Sequence, residues 1–62
     1  MDKEFSFKVW CAILTLGKNG REFSKEELHE MLPNNENVIA KLLKTWVKAC
    51  RLSENINTYK IQ

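Results

Sequence analysis

One proline and two glycines in 62 residues leave the chain few places to break a helix. Gly17 and Gly20 alone cannot form a glycine-rich phosphate loop. Metal-binding residue types are as scarce. Cys11, Cys50 and His29 show neither C-x-x-C nor H-x-x-x-H spacing, so no metal and no other cofactor is expected. Ser6, Ser24 and Ser53 have no base and orienter beside them, and a chain this short lacks the walls of a small-molecule substrate pocket, so no enzymatic activity is expected. The apolar stretch "KVWCAILTLG" falls far below the roughly 20 residues of a membrane span. Its leader "MDKEFSF" carries Asp2 and Glu4, and no small-residue cleavage site follows, which argues against an export signal. The expected setting is the cytoplasm. Cys11 and Cys50 sit within apolar runs and read as free thiols, packed as small buried hydrophobes in a reducing compartment.

What the chain does contain is enough for one domain, residues 1–62. A composition 44% hydrophobic and 29% charged is that of an ordinary globule, and so short a chain has no apolar material for a second core. Phe5, Phe7, Val9, Trp10, Ala12, Ile13, Leu14 and Leu16 fill a wide arc at about 100° per residue, which predicts a largely buried first helix over about residues 3–16. Gly17 is placed to end it in a left-handed conformation, and Gly20 to make the "GKNG" turn. "REF" at 21–23 can supply one edge strand.

The stretch "FSKEELHEML" then carries a complete helix start. Ser24 and Glu27 have the S-x-x-E spacing of a reciprocal capping box, and Phe23 and Leu28 that of a hydrophobic staple. A second helix is expected over about 24–32, stopped by Pro33. "PNNEN" supplies a turn and a new cap, Asn35 with Asn34 as the alternative. The third helix, about 36–50, puts Val38, Ile39, Leu42, Leu43, Trp46 and Val47 on one half of its wheel. Lys41, Lys44, Lys48 and Arg51 fall within about 80° on the other half, with Asn37 among them. After it, Arg51–Ser53 and Thr58–Ile61 read as a short hairpin around the turn-rich "SENIN". Tyr59 is expected to pack that hairpin onto the helices, and Trp10 and Trp46 to belong to the core. The formal charge of +2 matters less than this clustering: four cations with no acid among them are an electrostatic footprint for a polyanion.

The order helix, short strand, helix, turn, helix, hairpin, with apolar residues at Leu28, Leu32, Ile39, Leu43, Trp46 and Leu52, resembles the winged helix-turn-helix domains over roughly residues 9–62. That resemblance implies a mainly α, α+β fold of order α-(β)-α-α-β-β. It also implies double-stranded DNA as partner, read in the major groove by the third helix. Asn37 at that helix's start and Lys41 would then face base edges, Lys44, Lys48 and Arg51 the phosphates, and Lys60 on the hairpin the backbone or minor groove, with Asn35 also among the DNA-binding residues. A module this small has a small footprint, so a homodimer or a larger complex is expected to supply affinity. Four positions depart from the family pattern: His29 stands for a usual alanine, Pro33 with Asn34 for a glycine and an apolar residue, and Cys50 for the glycine before the hairpin. Glu36 and the acidic second helix, with Glu26, Glu27 and Glu30, fit less well beside phosphate. Winged helices that dock proteins instead of DNA are the alternative, through an acidic surface met by the stripe or an apolar groove met by Val38, Val47 and the outer edge of the first helix.

Overall fold

A computed structural model describes residues 3–62; Met1 and Asp2, included in the domain and export-signal expectations, lie outside the described residues. The chain runs α1 (Lys3–Leu16), a 3-10 turn (Lys18–Gly20), β1 (Phe23–Ser24), α2 (Lys25–Met31), α3 (Glu36–Lys48), β2 (Leu52–Glu54) and β3 (Thr58–Ile61). The three strands form one antiparallel sheet in the order β1-β3-β2. It is an α+β domain of three α-helices and a three-stranded sheet.

The start of α2 is where local chemistry and tertiary structure meet. Ser24 Oγ accepts from the Glu27 amide at 3.2 Å, and Glu27 Oε1 accepts from the Ser24 amide at 3.1 Å, closing the expected capping box. Arg21 then joins two helices: one of its guanidinium nitrogens donates to the Leu16 carbonyl at the end of α1, and the other pairs with Glu27 Oε2 at 3.1 Å. Glu27 therefore lies below the ordinary carboxylate range, chiefly through the Ser24 amide and then through Arg21. Ser24 also pairs with Thr58 in the sheet, and Phe23 with Tyr59, whose rings stack at 6.1 Å between centroids.

One layer of side chains makes the core. Val9 and Ile13 from α1, Phe23 from β1, Leu28 from α2, Ile39 and Leu43 from α3, and Leu52 from β2 are essentially sealed from water. Each such burial contributes about 1.5–3 kcal/mol. Against a net stability of about 3–9 kcal/mol for a domain of this length, no single one is dispensable. Trp10 and Trp46 pack against that core and meet edge to face at 5.0 Å, tying α1 to α3.

Several expectations are corrected. The first helix is not largely buried: only Val9, Ala12 and Ile13 are, while Phe7 is 69% and Leu14 48% exposed, because the single layer behind α1 covers only one of its faces. Cys11 and Cys50 are free thiols but both exposed. Gly17 has φ −92°, not a left-handed value. It is needed for space, since a Cβ there would lie 2.8 Å from Ile61 Cδ1. The left-handed residues of that turn are Asn19 and Gly20. Asn35 holds the N-cap position of α3, but its side-chain amide donates back to the Pro33 carbonyl at 2.9 Å and caps nothing. The third helix stops at Lys48, two residues early, and the hairpin starts at Leu52.

Candidate functional site

The C-terminal end of α3 fixes how its outer face is presented. The Cys50 amide donates to the Val47 carbonyl at 3.1 Å and the Arg51 amide to the Trp46 carbonyl at 2.9 Å, with Cys50 at φ +61°. These are the paired 5→2 and 6→1 bonds of a Schellman motif. The motif turns the chain sharply into β2 and leaves Arg51 beside the last turn of the helix.

Along α3 the exposed positions are Glu36, Asn37, Ala40, Lys41, Lys44, Thr45 and Lys48. Val38, Ile39, Leu42, Leu43, Trp46 and Val47 face inward and are buried or half-buried. Lys41, Lys44, Lys48 and Arg51 are all exposed, and none pairs with a carboxylate among the described residues, whereas Arg21 pairs with Glu27. Thr45 turns its hydroxyl back onto the Lys41 carbonyl at 3.0 Å. Ala40 keeps the middle of the face low. Periodicity alone marks the cations; it passes over Ala40 and Thr45, which set how closely a partner can approach the backbone.

Of the seven expected contact residues, Asn37, Lys41, Lys44 and Lys48 share this flank; Arg51 is exposed but lies past the helix end, beyond left-handed Cys50, so the helical period that set it on the stripe stops short of it. Asn35 is half-buried at the start of α3, with its amide committed to Pro33. Lys60 stands apart. Tyr59, its neighbour, faces the helices, so strand alternation sends Lys60 to the other side of the sheet. There its stem lies against the Lys18–Gly20 turn, with Cε 3.6 Å from where a Gly20 Cβ would be.

Between α3 and the hairpin runs a groove of about 320 Å³ lined by Lys44, Val47, Lys48, Glu54 and Tyr59. Glu54 brings an acid to its hairpin wall, so the positive face ends at the groove instead of crossing to the hairpin tip, which is Asn55, Ile56 and Asn57. The Tyr59 hydroxyl donates to Glu54 Oε2 at 3.4 Å. Burial, then Glu54 and Glu26, hold the phenol above its ordinary pKa, so it stays neutral through physiological pH. Sequence periodicity could not find this groove, because it depends on which sheet face β3 turns toward α3.

No family model, curated protein or solved structure matches this chain. The chemistry of the face must therefore carry the functional reading. His29 is half-buried, with Nε2 shielded and without a hydrogen-bond partner. No group of three His, Cys, Asp or Glu among the described residues could hold a metal. No helix among them is long and apolar enough to cross a membrane.

Proposed function

We propose that this is a winged-helix DNA-binding module, with α2 as the positioning helix, α3 as the recognition helix and β2–β3 as the wing. The observation that carries the reading is the row of Lys41, Lys44 and Lys48, exposed and without acidic partners on one flank of α3, with Arg51 exposed just past its end. Cations so presented can neutralise phosphates of a duplex and release their counterions. Asn37, in the first turn, offers an amide that can bond an adenine edge two ways, and Lys41 can reach a guanine edge from the next turn. The β1-β3-β2 sheet order and the chain reversal after α3 are consistent with the same architecture. As the positive face stops at Glu54, α3 carries the contact and the hairpin contributes little charge to it.

Titrating duplex DNA at several salt concentrations tests this. The log–log slope of affinity against salt should be roughly −3 to −4 if all four cations meet phosphates. Replacing Lys44 and Lys48 together with alanine should lower affinity for every sequence alike and bring the slope to roughly −2. Binding that ignores the double substitution would show that the stripe is not the contact surface.

One observation favours the protein-docking alternative: α1 and α2 expose Phe7, Leu14 and Met31 on the surface. Val38 and Val47, expected to share such a groove, are instead half-buried against the core.

A further inference from the structure

The side of Tyr59 turned away from Phe23 carries chemistry that duplex binding leaves unused. Glu54 and Tyr59 are partners across the β2–β3 ladder, so both side chains stand on the sheet face that meets α3. Phe23 backs the Tyr59 ring on its core side, at 6.1 Å between centroids, and the groove of about 320 Å³ opens on the other. Lys44 and Lys48 form the opposite wall, with half-buried Val47 as an apolar floor. Chain length alone argues against such walls; two elements facing each other supply them.

The groove defines its occupant in three ways. Its volume is at the small end of ligand sites, which start at about 300 Å³, so it holds one ring system with a short polar arm. Its charges are opposed but unpaired: among the described residues neither lysine meets a carboxylate, although Glu54 stands across the gap. An occupant therefore gains most by being polar at both ends, anionic toward α3 and hydrogen-bond donating toward β2. Between those ends lie the Tyr59 ring and the Val47 methyls, a surface for a flat apolar body. Beyond the Tyr59–Glu54 bond a smaller hollow of about 170 Å³ adds Glu26 to Glu54, with Lys25 alone against them. Two acids repel an anion there, which sets the anionic end against α3.

We propose that this groove binds one unpaired nucleotide, with its base stacked on Tyr59 over Val47, an exocyclic amine donating to Glu54, and its phosphate between the Lys44 and Lys48 ammonium groups. Every base has a π-face to lay on an aromatic side chain. Cytosine N4 is a donor that carboxylates accept from in base recognition, and adenine and guanine carry amines of the same kind, whereas thymine has none. The Tyr59 hydroxyl already donates to Glu54 Oε2 at 3.4 Å, and an ionised carboxylate keeps acceptor capacity for a second donor. The phenol, held neutral by burial and by Glu54, puts no charge of its own beside the phosphate. A free nucleoside monophosphate and a nucleotide left unpaired at a duplex end meet the same chemistry. Such a site goes beyond duplex binding and does not require it, though the two share Lys44 and Lys48.

Titrating the full chain with dCMP, while following backbone amide shifts by NMR, is the test. Saturable shifts should concentrate at Val47, Lys48, Glu54 and Tyr59. The nucleotide dTMP should bind at least about fivefold more weakly, the effect of one hydrogen bond to a charged acceptor in an open groove, and inorganic phosphate more weakly still. Glu54→Gln, at an exposed position, should erase the difference between dCMP and dTMP, because an amide can donate to thymine O4 as readily as it accepts from cytosine N4. Lys48→Ala should weaken both nucleotides alike. Tighter binding of a duplex with one unpaired terminal cytidine than of a blunt one, lost in Glu54→Gln, assigns the site to strand ends; displacement of blunt duplex by dCMP, with no gain from the overhang, assigns it to the free nucleotide. No saturable shift at the groove, dTMP or phosphate binding as tightly as dCMP, or discrimination that survives Glu54→Gln overturns the proposal. A chain that binds dCMP but ignores duplex overturns the duplex reading alone, and one that binds duplex but not dCMP overturns the nucleotide site alone.

Discussion

Cys50→Gly should make the protein more stable, although it deletes a side chain. Cys50 stands at φ +61°, the residue through which α3 leaves its last turn. A left-handed conformation costs an L-residue about 1–2 kcal/mol, because Cβ crowds the following carbonyl. Glycine removes that cost but gives the unfolded chain more freedom, worth about 0.4–1 kcal/mol in the opposite sense. The thiol is exposed and unbridged, so little packing is lost with it. The balance is a gain of about 0.5–1 kcal/mol, which in a domain of this size raises Tm by about 2–8 °C. Urea unfolding under reducing conditions should show a higher midpoint at unchanged slope, so that the gain belongs to the native state and not to a change in exposed surface. Cys50→Ala keeps the crowded Cβ and should shift stability by less than about 0.5 kcal/mol. Asn19 and Asn34, at φ 62° and 67°, should gain less from glycine, since asparagine tolerates this region better. A Cys50→Gly protein no more stable than the parent would refute the strain argument.

Two further outcomes follow from the packing around α2 and Gly17. Glu27→Gln should lower stability at neutral pH, and the gap to the parent should close in acid. The Glu27 carboxyl is held below its reference value of 4.5 in the fold, so its contribution is complete above that pH and disappears as pH falls through the lower folded value; thermal melts across the acid range read this directly. Gly17→Ala should cost about 1 kcal/mol, because its Cβ would meet Ile61 Cδ1 at 2.8 Å. The same substitution in an Ile61→Val chain, where that methyl is gone, should cost less, and a double-mutant cycle in urea measures the coupling.

How far the sequence foretold this structure depends on the range of the interaction concerned. The Ser24–Glu27 box and the Pro33 stop are rules spanning three or four residues, and both stand in the structure. The division of α3 into an apolar and a basic half also holds, because a 3.6-residue period is a property of one element. Burial of α1 was not legible: its apolar residues span a wide arc, but what lies opposite each one depends on how many layers the rest of the chain can build. Phe7, Cys11 and Leu14 were left over once one layer had formed. Asn35 has the right residue type for a cap, yet its amide is nearer the Pro33 carbonyl of the turn that delivers it. The separation of Lys60 from the α3 cations required the parity of β3, set by its pairing with β1 and β2. The strained backbone at Cys50 has no signal in the residue itself; only the glycine that the winged-helix pattern places there pointed to it.

Ser24 belongs at once to the last rung of a ladder and to the first turn of a helix, and Phe23 beside it lies under Tyr59. The hairpin therefore cannot lift off and leave the rest intact: parting β3 from β1 strips Phe23 of its aromatic neighbour and loosens the residue that starts α2. Here the two motions are geared together, so whatever steadies the hairpin also steadies the angle at which α2 is set.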